Sequence, residues 1–459
     1  MKKWLYLLPL VFLPALSVFF SSDDWFHLRV SHIDSLGQFL NFFSFEKTFQ
    51  SISFYRPLTT QVFFFVFQRL FGLNPVPYHL FVLAVFLFSL YLVYKLAHKL
   101  LQNRWQANVT VLLYGFSVSN FTRLYFLSAF QEIGLVVFSL LSILSYLRSS
   151  RKPILAVLFF VLALLSKETA AVLPVILIAL DYHSGRLNWR RTLPFFLILA
   201  PYLYLRFSQF GAVSGESYVW DFSPVKIANT LMWYVLWSIG APELLVDYIG
   251  SGLKPVPRLF IDFPVWSFII LSLLLMTTAF LTVMFVKKIK SVDGQFILFA
   301  FLFIISLGPL LFLPQHKFSL ELGLPLVWFS LATALFLPAK GKLPIAFLAL
   351  YLVLNLSMNY LTYLHHYSVQ RGIIARNVHQ YITANYPQKP ESSYFEFIND
   401  TLSFSPEWGS SKQISQAIGG SEMFRVVYSD PDYIVYFEDY PGKRPKGIKI
   451  ALSTKMFLP

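Results

Sequence analysis

Apolar residues in this chain come in long blocks, not in the alternation of a half-buried strand or the stripe of a surface helix. A first block runs from Trp4 to Phe20, and later ones cover approximately 78–97, 107–126, 132–147, 153–166, 170–182, 192–207, 264–286, 295–314, 320–337 and 344–360. Runs of roughly 18 to 20 apolar residues are long enough to cross the hydrocarbon core of a bilayer. The pattern predicts an all-α polytopic membrane protein with about eleven transmembrane helices. Residues 1–360 form the membrane domain, with a long first loop at 21–77 and another at 208–262. Residues 361–459 form a C-terminal domain.

The polar residues between the blocks test this count. If Phe54 to Leu70 does not cross, one side collects Lys95, Lys99 and Arg104; Arg148, Arg151 and Lys152; Arg186, Arg190 and Arg191; Lys287, Lys288 and Lys290; and Lys340 and Lys342. That is also the side of Lys2 and Lys3, as the excess of basic residues in cytoplasmic loops requires. A crossing at 54–70 would put every one of these loops on the wrong side. The segment therefore reads as an interfacial or partly re-entrant helix in the first external loop. Met1-Lys2-Lys3 and the following block resemble a signal peptide, with Ala15-Leu16-Ser17 as a small-x-small cleavage pattern, but an uncleaved first span is the expectation. Either way, the chain beyond residue 20 emerges outside the cytoplasm.

Within 208–262, Val225 to Ile239 predicts an interfacial helix or a lid. The tail is more polar. It predicts a helix over Ser368 to Tyr381, then strands at Phe424 to Tyr428 and Tyr433 to Phe437 joined by the turn Ser429-Asp430-Pro431-Asp432. This makes a small C-terminal α/β extracytoplasmic appendage, in which Asn399-Asp400-Thr401 is a glycosylation sequon.

Composition agrees with the pattern. The chain is 56% hydrophobic and 13% charged, about half the charge of a soluble domain. The formal charge of +14 lies in short loops and builds no basic nucleic-acid module, so no nucleic-acid partner is expected. With no cysteine in the sequence, disulfides, thiolate catalysis and cysteine-ligated metals are excluded.

The external side gathers the unusual ionisable residues. Asp23 and Asp24 open the first loop, at the mouth of the bilayer, where paired carboxylates are costly. Arg56 stands in Tyr55-Arg56-Pro57-Leu58, and Glu132 follows Gln131 at the start of an apolar block. Lys167 and Glu168 interrupt an apolar stretch, and His316 and Lys317 form a cationic pair between two blocks. Carboxylates beside cations suit a base that removes a hydroxyl proton while a phosphate departs. No phosphate-cradling Gly-rich loop, HExxH or GxSxG element is present. A donor phosphate embedded in lipid fits a site outside the cytoplasm.

With Asp23-Asp24, Tyr55-Arg56-Pro57-Leu58, Glu132 and Ser166-Lys167-Glu168 in this order, residues 1 to about 320 resemble the C-type (GT-C) glycosyltransferases. The layout resembles the protein O-mannosyltransferase and aminoarabinose transferase group, and the Ser-Lys-Glu element resembles the transmembrane O-mannosyltransferases with TPR repeats, although no TPR repeat follows. The resemblance implies a GT-C-like fold and an integral membrane enzyme. It would move a sugar from a polyprenyl-phosphate donor to a hydroxyl of a protein, lipid or glycan acceptor on the extracytoplasmic face, with inversion. Asp24 or Asp23 would be the base, and Arg56, His316, Lys317 and Lys167 would hold the donor phosphate. Glu132, Glu168 and His27 would position the acceptor or a divalent cation (Mg or Mn), which some relatives use and others do not. Two other readings remain: a non-enzymatic flippase or carrier of a lipid-linked sugar, and an O-antigen-type polymerase or ligase.

Overall fold

The computed structural model describes residues 8–50, 54–148, 153–211, 215, 218–250, 254–288, 294–399, 409–440, 442 and 444–459. Lys2, Lys3, Arg151, Lys152, Lys290 and the sequon's Asp400 and Thr401 lie outside them, as does the start of the first block.

The described part of that block is α1 (Leu8–Phe12) with a 3₁₀ extension, Leu13–Ser17. The first loop then folds into α2 (Asp23–Val30), α3 (Leu36–Asn41) and a helix of five π residues, Leu58–Val62, that runs into the nine residues of α4 (Phe63–Phe71). Next come α5 (Pro75–Leu101), α6 (Arg104–Phe116), α7 (Phe121–Tyr125), α8 (Phe130–Arg148), α9 (Ile154–Leu164), α10 (Leu173–His183) and α11 (Trp189–Phe210). The second long loop contains α12 (Pro224–Ile239) and α13 (Pro257–Asp262). It leads to α14 (Pro264–Lys288), α15 (Gly294–Leu307), α16 (Pro325–Leu335) and α17 (Lys342–His365).

Local chemistry starts and stops these helices where the blocks predict. Asn74 accepts the Val76 N–H at 3.2 Å ahead of Pro75, and α5 ends at Gln102 in a left-handed conformation, φ 51°. Asn103 then caps α6 by accepting the N–H groups of Trp105 and Gln106.

Among the described residues, six helical stretches are long and apolar enough to cross a membrane: Pro75–Leu101, Leu127–Arg148, Trp189–Phe210, Pro264–Lys287, Gly294–Phe312 and Lys342–Asn385. The chain is a multi-pass membrane protein. The other expected spans are shorter helices, as at Ile154–Leu164, or are broken into pieces. The block 107–126 divides into α6, a 3₁₀ turn at Val118–Asn120, and α7. There the buried Asn120 amide bonds the Tyr114 carbonyl at 2.6 Å and satisfies backbone that a continuous helix would have used. The segment expected not to cross is helical over Leu58–Phe71, too short for a span of about 20 residues.

Two ends of the bundle can be told apart. At one, Trp105 Nε1 bonds the Leu337 carbonyl at 3.1 Å and Arg191 bonds the Tyr146 carbonyl at 2.8 Å, joining connections that carry the basic residues. At the other, α2 packs on α4 and the turn at Leu127–Ala129.

The C-terminal domain is built from α18 (Tyr367–Asn385), β1 (Ser393–Ile398), α19 (Ser410–Ala417), α20 (Glu422–Val427), β2 (Tyr436–Phe437) and β3 (Ile448–Ser453). The sheet order is β2-β1-β3, and both pairings are parallel. This corrects the strand expected at Phe424 to Tyr428, which is helical through Val427. The reason is tertiary: Phe424 packs against Phe395 and Tyr433 with ring centroids 5.1 and 6.0 Å apart, which overrides the β-propensity of a Val- and aromatic-rich run. The run near 433–437 contributes only β2, paired with β1 and not with a hairpin partner.

Candidate active site

Asp23 and Asp24 are neighbours on α2 with different surroundings. Consecutive helical side chains point about 100° apart, and here one turns inward and the other to a cavity. Asp24 is 1% exposed. Its carboxylate accepts the Ser128 N–H at 2.8 Å, the Ser128 hydroxyl, and the Ser21 N–H at 3.0 Å. Burial lifts this carboxyl to about 7, against the pull of those donors. Asp23 lines the cavity and is accessible within it. The protein mass around it raises its carboxyl above the ordinary range, opposed by the charges of Arg371 and Arg56.

Opposite Asp23 is a band of ion pairs. Arg56 forms a two-pronged pair with Glu168, at 2.8 and 2.5 Å, and donates to the Gln131 side chain at 2.6 Å. Its placement follows from the π segment beside it. Leu58 N–H bonds the Leu165 carbonyl at 3.1 Å and the Thr59 hydroxyl bonds the Ser166 carbonyl at 2.8 Å. The turn carrying Lys167 and Glu168 is thereby stitched to the segment carrying Arg56. Gly134 of α8 permits this approach, because a Cβ there would lie 2.4 Å from the Thr59 methyl. Burial works against the charge of Arg56, but Glu168 outweighs it and holds the guanidinium above its usual value. Glu168 is also penalised by burial, yet Arg56 brings it down to about 2.

Lys167 lies between two buried carboxylates, bonded to Glu132 and, at 2.6 Å, to Glu321. Its own burial disfavours the ammonium, but these two partners together keep it protonated above its ordinary value. His316 stacks on Tyr218, with centroids 4.3 Å apart, and approaches Glu321 at 3.8 Å. Burial lowers its pKa. His27 stacks on Phe64 at 5.4 Å, and burial, then Arg56, draws it down to about 3, so the ring is neutral.

Two cavities meet at this band. The first, about 320 Å³, is lined by Asp23, His27, Ser128, Gln131 and Tyr367, with Phe26, Phe54, Phe126 and Phe318 around them. The second, about 400 Å³, is a groove between α10, α11 and the end of α15, lined by Val172, Val175, Leu203, Phe207, Ile305 and Leu310. Arg56, Lys167, Tyr218, His316 and Glu321 line both. A polar chamber and an apolar groove thus share one charged wall.

The expected residues are distributed unevenly around this wall. Arg56, Lys167 and His316 stand in it, Glu168 lines the groove, and Asp23 and His27 line the chamber. Glu132 lines neither cavity and is 1% exposed beneath Lys167. Lys317 turns away from His316 to Asn229, at 3.1 Å, so the expected cationic pair is split.

Four participants were not anticipated: Ser128, Glu321, Arg206 and Arg371. Arg206 lines the apolar groove with its Nε buried and without a hydrogen-bond partner among the described residues, while one terminal nitrogen makes a 3.4 Å bond to the Gly211 carbonyl. A lone arginine near the end of an apolar block was the available signal for it. A lone glutamate at the start of one was the signal for Glu321.

A divalent cation finds no fitting donor set. Among the described residues no group of three or more His, Asp or Glu side chains converges, and Glu132, Glu168 and Glu321 are engaged by Lys167 and Arg56.

No family model matches this chain, and no curated protein does. Its fold is similar to the crystal structure of ArnT from Cupriavidus metallidurans bound to undecaprenyl phosphate, with a TM-score of 0.45 and 12% identity over 95% of this chain and 89% of that one.

Proposed function

We propose that this protein is a glycosyltransferase of the GT-C type, transferring a sugar from a polyprenyl-phosphate donor to an acceptor hydroxyl at the extracytoplasmic face. The observation that carries this reading is the charged wall shared by a polar chamber and an apolar groove. The groove takes the first isoprene units of the lipid, and Arg206, Arg56 and His316 meet its phosphate. The sugar then projects into the chamber, towards Asp23.

Asp23 is the base. Its carboxylate takes the proton of the acceptor hydroxyl, the hydroxyl oxygen bonds the anomeric carbon, and the bond from that carbon to the phosphate oxygen breaks. The polyprenyl phosphate leaves with the electron pair, and the configuration inverts. A raised carboxyl is a stronger base than an ordinary one, and the cations stabilise charge on the departing phosphate. Asp24 holds the start of α2 through Ser21 and Ser128 and takes no proton from substrate.

The test is transfer by membranes containing the full chain, supplied with polyprenyl phosphates carrying labelled hexose, pentose or amino sugar. Label should reach an acceptor, with release of polyprenyl phosphate, and Asp23→Asn should abolish both. Transbilayer movement of the donor without transfer by the parent chain would overturn this reading and favour a carrier.

A further inference from the structure

α2, which carries Asp23, begins in an unusual conformation. Ser22 has φ 50° and ψ −119°, the geometry of the first central position of a type II′ turn, which glycine normally occupies. The turn is closed by the Asp24 N–H on the Ser21 carbonyl, 3.0 Å. A non-glycine residue persists in such a conformation only where its surroundings over-determine it.

Those surroundings are supplied by the C-terminal domain, almost 400 residues away in sequence. The Ser22 N–H bonds the Ala417 carbonyl at 2.8 Å and its hydroxyl bonds the Gln416 carbonyl at 2.9 Å. Arg371 of α18 donates to the same hydroxyl at 3.3 Å and is itself held by the Gln416 side chain. Gly419, at φ 66°, lies so close that a Cβ there would be 2.8 Å from the Ser22 carbonyl oxygen. Further along α2, Arg29 is paired with Glu422.

We infer that the C-terminal domain positions the Asp23 side chain in the chamber, by clamping Ser22 between the 416–419 loop and Arg371. The clamp rests on the reading of Asp23 as the base only for its effect on transfer, since its geometry is independent of that reading. The 416–419 loop lines no part of the chamber, to which the domain otherwise contributes Tyr367. Ser22 meets the domain, and Asp23, the next residue, meets the cavity. The domain's role is therefore to fix the base, and its loop 416–419 is a set of positioning residues.

The test uses two variants of the full chain in membranes. Gly419→Ala drives a methyl against the Ser22 carbonyl. Ser22→Gly keeps the N–H bond to Ala417 and relieves the positive φ, but removes the hydroxyl that Gln416 and Arg371 hold. Because the chain has no cysteine, Asp23→Cys provides a single thiol whose maleimide labelling rate reports the side chain's freedom without any transfer assay. Both variants should speed labelling of that thiol. Both should also lower kcat by about 10- to 100-fold, with the donor KM within about twofold, because a displacement near 1 Å is enough for such losses. Ser22→Gly should melt no earlier than the parent, which separates positioning from stability. Unchanged labelling and unchanged kcat in a folded Ser22→Gly variant would overturn the clamp. Faster labelling of the thiol, together with no sugar transfer by the parent chain that keeps Asp23, would support the clamp and overturn the proposed function.

Discussion

The Ser128 N–H donates to the Asp24 carboxylate at 2.8 Å, and the Ser128 hydroxyl donates to the same oxygen. This relationship separates the two adjacent aspartates. Asp24 joins α2 to the turn before α8, which leaves Asp23 to open on the chamber. Hydrogen bonding thus sets the two apart, the buried one acting as a strut and the other being the proposed base.

The two aspartates should fail differently. Asp23→Asn removes the proposed base and should lower kcat by about 10²- to 10⁴-fold, with an unchanged melting temperature, because no hydrogen bond or ion pair ties Asp23 among the described residues. Asp24→Asn puts an amide NH₂ against donors and should cost about 1–3 kcal/mol of stability. Melting curves of the purified chain, run beside transfer rates, distinguish the two.

Lys167 holds two buried carboxylates, so its loss should be mainly structural. Lys167→Met removes the ammonium that bonds both Glu132 and Glu321 and should destabilise by about 3–5 kcal/mol. Adding Glu132→Gln should recover part of that loss without restoring transfer. Thermal melting of the single and double variants reads this directly. Equal melting of the two would show that Glu132 and Lys167 do not depend on one another.

Much of the frame was legible in the sequence because it rests on local pattern. The long blocks became helices, the basic loops marked one end of the bundle, and Leu58–Phe71 is a helix too short to be a span. Of the site, the chain shows which residues are expensive but not which ones pair. Glu321 reaches Lys167 across 154 residues and Ser128 reaches Asp24 across 104, and no spacing rule encodes such contacts. Glu132 lines neither cavity for the same reason, since it is engaged by Lys167 in the interior, while Lys167 itself stays in the wall of both. The helix at Glu422–Val427 shows tertiary packing overriding a strand-like composition.

Arg206 should matter to lipid binding more than to folding. Its Nε is buried without a partner among the described residues, and it lines the apolar groove. A charge-assisted bond to phosphate is worth about 1.5–3 kcal/mol. Arg206→Gln should therefore weaken undecaprenyl phosphate binding by roughly 10- to 150-fold, measured by ligand-induced thermal shift. Unaltered binding would place the phosphate elsewhere along the wall.

Acid should loosen the charged wall through Glu168. Its carboxyl has an ordinary pKa of 4.5 and is held near 2 in the folded chain, because Arg56 outweighs the penalty of burial. A depressed carboxylate contributes stability that is complete above its unfolded pKa and is lost as pH falls through the folded one. The Arg56–Glu168 pair should therefore stabilise fully above about pH 4.5, progressively less down to about pH 2, and not at all below. Glu168→Gln should melt earlier than the parent at neutral pH, and the difference should narrow as the pH is lowered through that window. If the two melting profiles run parallel from pH 6 to pH 2, Arg56 draws its stabilisation from a group other than Glu168.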